Sequence, residues 1–139
     1  MTAQPERRAL LFIGDGSFQL TAQELSTILN RGLKPIIFLL NNRGYTIERY
    51  ILGMNAAYND IADWRYRDLP QVLAPERDVY CAEVHTEEDL EAALAEAGKG
   101  SRAAFIELNL AQDDAPEAMK HFGAMTAELD YGPRGPQRQ

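Results

Sequence analysis

The sequence predicts an α/β fold in which a parallel sheet carries helices on both faces. Three observations support this class. Residues 9–13 and 36–40 are continuous apolar runs, which are typical of strands buried on both faces. A helical pattern separates the two runs. The same alternation of strand and helix then recurs between residues 79 and 110. Strands separated by helices imply right-handed crossovers and parallel pairing.

The first half of the sheet is predicted from two strands and the helix between them. Residues 9–13 are expected to form a fully buried strand, and residues 36–40 a second one. Thr21-Ala22-Gln23-Glu24 has the spacing of a capping box, although the helix could begin as early as Ser17. Gly32 is well placed to end that helix.

The second half repeats the pattern with a longer helix. Residues 79–84 predict a strand, residues 87–97 a helix, and residues 103–110 a further strand. Short helices and ordered loop are expected between residues 53 and 75, where aromatic and acidic residues are mixed. A helix is also expected after Ala111.

The predicted domain organisation has three parts. They are a polar lead-in of residues 1–8, one α/β domain of residues 9–124, and a flexible tail of residues 125–139. Four strands make a small sheet, and the lead-in offers no further strand. One or both edges of the sheet are therefore expected to be uncovered, which is an aggregation risk. On this ground the domain is expected to be incomplete, either as part of a larger assembly or as a truncated polypeptide.

Composition and charge exclude some classes of binding partner and indicate the cellular compartment. The chain has 139 residues and a formal net charge of −7, which argues against binding to nucleic acid or to an anionic membrane. The longest apolar run is far too short to cross a bilayer. Cys81 is the only cysteine, so no internal disulfide can form. We therefore expect a cytoplasmic protein.

Two glycine-containing motifs follow the first two predicted strands. Gly14-Asp15-Gly16-Ser17 follows the first strand, and Asn41-Asn42-Arg43-Gly44-Tyr45 follows the second. Ligands of parallel sheets bind beyond the carboxyl ends of the strands. Mg²⁺ prefers oxygen ligands, which a carboxylate of Asp15, the amide carbonyl of Asn42 and the backbone carbonyl of Gly44 can supply. Glycines let the backbone approach phosphate groups closely. The motifs therefore predict a magnesium diphosphate site.

The two motifs, taken with their surroundings, resemble the signature of thiamine diphosphate-dependent enzymes. The stretches that carry the resemblance are residues 14–24, 32–35, 41–49 and 58–61, together with Trp64. They are most similar to the 2-oxo acid decarboxylase branch, which holds pyruvate, indolepyruvate and phenylpyruvate decarboxylases. The resemblance runs from about residue 5 to about residue 116, in the C-terminal cofactor-binding domain of such enzymes.

The resemblance implies a role for each matching residue. Asp15, Asn42 and Gly44 would bind Mg²⁺. Thiamine diphosphate would be held by residues near both strand ends, through backbone amides and hydroxyls: Gly14, Asp15, Gly16, Ser17, Asn42, Gly44, Tyr45 and Thr46. Glu48 matches a glutamate that lies over the reacting centre and passes a proton. The implied reaction converts a 2-oxo acid to an aldehyde and CO₂.

The resemblance also implies partners that this chain does not contain. A pyrimidine-binding domain and a middle domain precede this one in the family, and family members are homo-oligomers. The chain alone is therefore expected to be inactive. Two alternatives stay open: a non-catalytic module that binds magnesium diphosphates or docks a partner, and carboligation of the acetolactate synthase type. The stretch Tyr45-Thr46-Ile47-Glu48 favours simple decarboxylation over carboligation.

Several other residues have an ordinary structural interpretation. Arg43 and Arg49 are expected to be exposed charges, and Cys81 a small core residue. Tyr58, Trp64 and Tyr66 are expected to pack beneath the loop that carries them rather than to line a pocket. His85 and His121 are assigned no catalytic role.

Overall fold

A computed structural model describes Gln4 and residues 6–131 of the chain, except for the side chains of residues 128, 130 and 131. Its elements follow in chain order: β1 Leu10–Gly14, α1 Asp15–Thr21, α2 Glu24–Asn30, β2 Ile36–Asn41, α3 Thr46–Leu52, α4 Leu69–Leu73, β3 Val79–Val84, α5 Glu87–Gly98, β4 Ala103–Asn109 and α6 Glu117–Tyr131. Short 3₁₀ turns occur at Ala57–Asn59 and Tyr66–Asp68.

The chain divides into two compact units. The first consists of residues up to Asn41 together with Trp64–Leu110, and it contains the whole sheet. The second consists of Asn42–Asp63 together with the residues from Ala111 onward, and it contains α3 and α6. β2 thus ends the first stretch of unit 1, and Asn42 begins unit 2.

The sheet of unit 1 is entirely parallel, with strand order β1-β2-β4-β3. Successive side chains of a strand point to opposite faces. Ile37 and Leu39 accordingly pack with Phe18, Leu25 and the α1–α2 face, whereas the alternate residues of β2 pack with α5 through Ala93 and Ala97. The predicted parallel sheet with helices on both faces is confirmed.

β1 differs from the sequence-based expectation of full burial. Leu10 is 61% exposed and Phe12 is 62% exposed. β1 pairs with β2 on one side only, so it is an edge strand of this sheet. The ring of Phe12 stacks on Phe38, with ring centroids 4.6 Å apart. The strand itself is present, and an apolar run does not distinguish a central strand from an edge strand.

The single helix expected after β1 is instead two helices. α1 begins at Asp15, so Thr21 lies at its end rather than at the start of a new helix, and the predicted capping box does not form. α2 ends at Asn30, and Gly32 supplies the predicted stop two residues later. The amide of Gly32 donates to Leu29 O and the amide of Leu33 donates to Ile28 O, which is a Schellman motif. Gly32 has φ +67°, a conformation that glycine adopts without strain.

A capping box does occur at the start of α5. The Thr86 hydroxyl accepts from the Asp89 amide, and the Asp89 carboxylate accepts from the amide of Thr86. This geometry satisfies donors that a helix N-terminus otherwise leaves open. The predicted helix 87–97 is confirmed with one added residue.

The structure bears on two predicted boundaries, the start of the tail and the end of the lead-in. α6 continues to Tyr131, so the expected start of the tail at residue 125 falls inside a helix. Residues 132–139 of that tail lie outside the described residues. In the lead-in, the Arg8 guanidinium donates to the backbone carbonyls of Lys34, Ala97 and Arg102, so this residue belongs to unit 1.

Unit 2 is organised around the pairing of α3 with α6. Gly123 of α6 lies against Tyr50 of α3, and a Cβ at Gly123 would lie 2.6 Å from Tyr50 Cβ. The Tyr50 hydroxyl donates to Asp113 O at 2.7 Å. A glycine is therefore required where the two helices approach.

Candidate functional site

The first motif lies at the carboxyl end of β1, in unit 1. β1 ends at Gly14, and α1 begins directly with Asp15. Asp15 is only 1% exposed, and its Oδ1 accepts a hydrogen bond from the Gly16 amide at 2.8 Å. Gly16 is buried, whereas Ser17 is exposed. Because the Asp15 carboxylate is buried and accepts a backbone hydrogen bond, its position is fixed, as a metal ligand requires.

The parallel register aligns the ends of β1 and β2. Gly14 is paired with Leu40, so Asp15 and Asn41 each follow a paired position at the same edge of the sheet. Asn42 is the next residue after Asn41 in the chain. The first two strands therefore end level with each other, as the sequence analysis predicts for a site beyond their carboxyl ends.

Glu107 is a buried residue that the sequence analysis did not single out. It lies on β4, and its Oε1 accepts a 2.7 Å hydrogen bond from Asn41 Nδ2. Both side chains are buried. The bond fixes the last residue of β2, immediately before Asn42. A charged residue within an otherwise apolar strand pattern, Ala103–Asn109, was the available signal for it.

The second motif opens unit 2, and one of its atoms is unusual. Asn42 Oδ1 is buried and has no hydrogen-bond partner among the described residues. A buried carbonyl oxygen without a partner costs about 1–3 kcal/mol. A side-chain carbonyl is also a ligand type that Mg²⁺ accepts. Asn42 Oδ1, unpaired among the described residues, therefore fits the predicted role of Asn42 as a ligand of a divalent cation.

Gly44 occupies a position that no other residue fits. Its φ is +139°, and a Cβ there would lie 2.0 Å from Asn59 O and 2.8 Å from Arg49 Nη2. Arg43, the residue before it, has φ +59°. Two successive positive φ angles make a sharp turn in the backbone, and they depend on the absence of a side chain at Gly44.

Tyr45 and Thr46 have several polar groups already engaged within unit 2. The Tyr45 amide donates to Asn59 O at 2.9 Å. The buried Thr46 hydroxyl donates to Gln112 O at 2.9 Å. The donors that these residues could offer to a diphosphate are therefore the phenol hydroxyl of Tyr45 and the backbone amide of Thr46. Glu48 lies in the first turn of α3 and is half-buried.

Arg49 contradicts its sequence-based interpretation as an exposed charge. It is 4% exposed, and its guanidinium contacts Asp60 Oδ1 at 2.7 Å. Arg43, by contrast, is exposed as expected. α3 turns the side chain of Arg49 toward the loop that folds back at residues 53–60, and the sequence alone does not show that this loop returns.

The packing roles expected from the sequence are only partly correct for Tyr58, Trp64, Tyr66 and Cys81. Tyr66 is buried in the core of unit 1, where it packs against Phe18, and Trp64 lies near its ring at 6.1 Å. Tyr58 is exposed, so packing beneath the loop is wrong for this residue. Cys81 is partly buried against the same core, and burial raises the pKa of its thiol.

In the part of the chain that the structure describes, no three His, Cys, Asp or Glu side chains come together as a metal cluster. The predicted magnesium site does not require such a cluster, because Asp15 is the only one of its three ligands that belongs to these residue types. No described helix has both the length and the apolar character that a membrane span needs.

Comparison with known proteins identifies relatives of this chain. Residues 1–108 match the family described as thiamine pyrophosphate enzyme, C-terminal TPP binding domain. The pyruvate decarboxylase of Aspergillus fumigatus is 45% identical over 128 residues, which are 90% of this chain and 22% of that protein. Pyruvate decarboxylase 1 of Arabidopsis thaliana is 41% identical over 138 residues, which are 97% of this chain and 22% of that protein.

A solved structure shares the fold. Benzoylformate decarboxylase from Polynucleobacter necessarius superposes with a TM-score of 0.70 and 19% sequence identity, over 83% of this chain and 22% of that one. The chain thus spans about a fifth of the length of the relatives that it matches. The family's cofactor is thiamine diphosphate, and Mg²⁺ is typical of it. From its match over residues 1–108, the chain belongs to the thiamine pyrophosphate enzymes, as their C-terminal TPP-binding domain.

Proposed function

We propose that the chain is the cofactor-binding part of a thiamine diphosphate- and Mg²⁺-dependent decarboxylase that converts a 2-oxo acid to an aldehyde and CO₂. Pyruvate, indolepyruvate and phenylpyruvate are the candidate substrates. The observation that carries the proposal is the buried Asn42 Oδ1, which lacks a hydrogen-bond partner among the described residues. The relatives named as pyruvate decarboxylases support the reaction class.

The proposed ligands follow the two motifs. Asp15, Asn42 and the backbone carbonyl of Gly44 would hold Mg²⁺, which neutralises much of the diphosphate charge. This matters because the chain carries a net charge of −7 and would otherwise repel an anion. Gly14 and Gly16 would admit the diphosphate close to the backbone. Ser17, Tyr45 and Thr46 would donate hydrogen bonds to it.

Glu48 is proposed as the residue that transfers a proton near the reacting carbon. When bound, thiamine diphosphate supplies the electron sink that cleavage of the carboxylate from a keto carbon requires. The chain itself contributes binding and orientation, and the Glu48 carboxyl would pass the proton. α3 carries Glu48 one turn after Tyr45, so the same helix start would position both residues.

Turnover is proposed to need parts of the relatives that this chain does not cover, including a pyrimidine-binding domain and a middle domain, within a homo-oligomer. A cytoplasmic location also stays a prediction. The alternative is a module that binds magnesium diphosphates or docks a partner without turnover. The exposed apolar side chains of β1, at Leu10 and Phe12, favour docking as part of either function.

Calorimetric titration of thiamine diphosphate into the chain, with and without Mg²⁺, tests the cofactor assignment. We expect binding that depends on Mg²⁺ and that weakens by about tenfold or more in Asp15→Ala and Asn42→Ala, a loss of roughly 1.4 kcal/mol or more. Asp63→Ala and Asn30→Ala are matched controls, since both residues are exposed and outside the motifs. Equal binding by all five proteins would contradict the proposed ligands.

A decarboxylation assay separates the two functions. The chain combined with the remaining domains of its parent is expected to release CO₂ and aldehyde from a 2-oxo acid, and Glu48→Gln is expected to reduce the rate. Cofactor binding without turnover in the complete protein would support the non-catalytic alternative. Condensation of two substrate molecules would instead indicate carboligation.

A further inference from the structure

Arg49 is a buried cation whose guanidinium binds several backbone carbonyls of unit 2. Its Nη1 donates to Met54 O at 3.2 Å. Its Nη2 lies 3.2 Å from Arg43 O and 3.4 Å from Asn59 O, as well as 2.7 Å from Asp60 Oδ1. One side chain thus connects the Arg43–Gly44 turn to the returning loop at residues 53–60.

Burial of the Arg49 guanidinium costs free energy, which suggests that its hydrogen bonds maintain a specific geometry of the turn. Arg49 is 4% exposed, and its Nε has no hydrogen-bond partner among the described residues. Burying a charged pair often stabilises a protein less than apolar residues of the same volume would. Asp60 is 64% exposed, so water weakens its attraction to the guanidinium. Stability alone therefore gives little reason for an arginine at this position.

The turn that Arg49 holds carries two of the three proposed magnesium ligands, Asn42 and Gly44. Arg43 O is bound both by Arg49 and, at 3.4 Å, by Gln112 Nε2. Gln112 Nε2 also lies 3.4 Å from Asp60 Oδ1. Arg43 stands between Asn42 and Gly44, so fixing its carbonyl restricts the orientation of the peptide groups on either side of it. This turn needs such restraint because Arg43 has φ +59°.

We propose that Arg49, with Asp60, is a positioning residue that orients the Asn42–Gly44 turn for binding of a divalent cation. The inference rests on the proposed function, because it assigns Arg49 to the same metal site. Arg49 acts through Asn42 and Gly44 and does not touch the metal. The planar fork of a guanidinium can bind several acceptors in fixed directions, whereas a lysine ammonium cannot reproduce that geometry.

The experiment measures Mg²⁺ affinity by titrating Mg²⁺ into the full chain at saturating thiamine diphosphate. Removal of a residue that orients metal ligands typically weakens metal binding by about 10–100-fold, and we expect this range for Arg49→Met. Arg49→Lys is expected to weaken Mg²⁺ binding as well, but less. Arg65→Met is the matched control, since Arg65 pairs with Asp68 on the surface and is 90% exposed.

Two further readouts separate positioning from a purely structural role. Circular dichroism gives the folded fraction, to which each Mg²⁺ affinity is normalised. Hydrogen exchange of the Tyr45 amide, which donates to Asn59 O, is expected to accelerate in Arg49→Met while amides of β4 are unchanged. A structural role would lower the unfolding midpoint and leave the Mg²⁺ affinity of the folded fraction as in the wild type.

Each outcome supports or overturns the inference. Wild-type Mg²⁺ affinity in folded Arg49→Met overturns it and leaves the proposed function intact. Absence of Mg²⁺-dependent cofactor binding in the wild-type chain overturns the proposed function, and the inference with it. If Arg49→Met does not fold, Arg49→Lys decides: weakened Mg²⁺ binding in a folded protein supports the inference, and unchanged binding overturns it.

Discussion

Asn41 Nδ2 donates a 2.7 Å hydrogen bond to Glu107 Oε1, and both side chains are buried. The bond joins the last residue of β2 to the neighbouring strand β4 by side chains, beyond the backbone pairing of Asn41 with Asn109. The residue after Asn41 is Asn42, the proposed magnesium ligand. A buried polar pair at this place gives β2 a defined end.

The Asn41–Glu107 bond is expected to contribute measurably to stability. Glu107→Leu removes the acceptor of a buried amide, which is expected to lower the free energy of unfolding by about 1–3 kcal/mol. Urea denaturation measures this. The double variant Asn41→Leu, Glu107→Leu is expected to lose less than the sum of the single losses, because no buried donor then lacks this acceptor. Glu83→Leu on β3 is the control, and an equal loss there would contradict the prediction.

Alanine at Gly44 is expected to disrupt the turn more strongly than alanine at another glycine of positive φ. Gly44→Ala would bring Cβ to 2.0 Å from Asn59 O, so we expect a loss of about 3 kcal/mol or more. Gly32→Ala is the matched control: its φ is +67°, but nothing lies within 4 Å of the added Cβ. There the expected cost is about 1–2 kcal/mol. Thermal unfolding of both variants tests the difference, and similar losses would remove the steric argument.

Gly123 and Gly98 are both helical glycines, but they are expected to respond to alanine in opposite directions. At Gly123 the added Cβ would lie 2.6 Å from Tyr50 Cβ, which forces α3 and α6 apart and is expected to cost about 1–3 kcal/mol. At Gly98 the added Cβ meets nothing within 4 Å, so Gly98→Ala is expected to be neutral or to stabilise by up to about 1 kcal/mol. Chemical denaturation distinguishes them. Stabilisation by Gly123→Ala would show that α3 and α6 do not pack this closely.

The capping box of α5 is expected to make stability depend on pH in the acidic range. Hydrogen bonds from the His85 amide and from Thr86 hold the pKa of Asp89 below its ordinary value of 3.8. A lowered folded-state pKa contributes stability that is present above the unfolded-state pKa and is lost as the pH falls through the folded-state pKa. The loss therefore occurs below about pH 4.

Asp89→Asn tests this dependence. The wild-type midpoint of thermal unfolding is expected to fall more steeply below about pH 4 than the midpoint of Asp89→Asn, while the two curves run parallel at neutral pH. Glu91→Gln, on the same helix outside the capping box, is expected to retain the wild-type slope. A wild-type slope in Asp89→Asn would indicate that other carboxylates dominate the acid response.

Local patterns were sufficient to predict most of the fold. Sequence patterns located all four strands to within one residue at each end, and the strand 79–84 was predicted with its observed bounds. Continuous apolar runs identified the first two of these strands. Gly32 ended α2 as expected, since a Schellman motif needs only a residue that tolerates positive φ. These features depend on neighbouring residues in the chain, which the sequence displays directly.

Several features were not predicted correctly, most of them because they depend on distant residues. The apolar run of β1 suggested burial, but the strand lies at the edge of the order β1-β2-β4-β3. The capping-box spacing at Thr21 had no effect, because α1 had already begun at Asp15. Arg49 was expected to be exposed but is buried, and the buried Glu107 was not among the predicted site residues.

The sequence by itself determined the parallel α/β class, the two motifs and their position after strands, because apolar periodicity and glycine placement are local properties. Only the tertiary structure decided that β1 is an edge strand, that Arg49 is buried against the Arg43–Gly44 turn, and that Asn42 Oδ1 lacks a partner among the described residues. Exposure and hydrogen bonding depend on which distant segments fold back against a residue. That is fixed by packing of the whole chain and not by the order of its nearest neighbours.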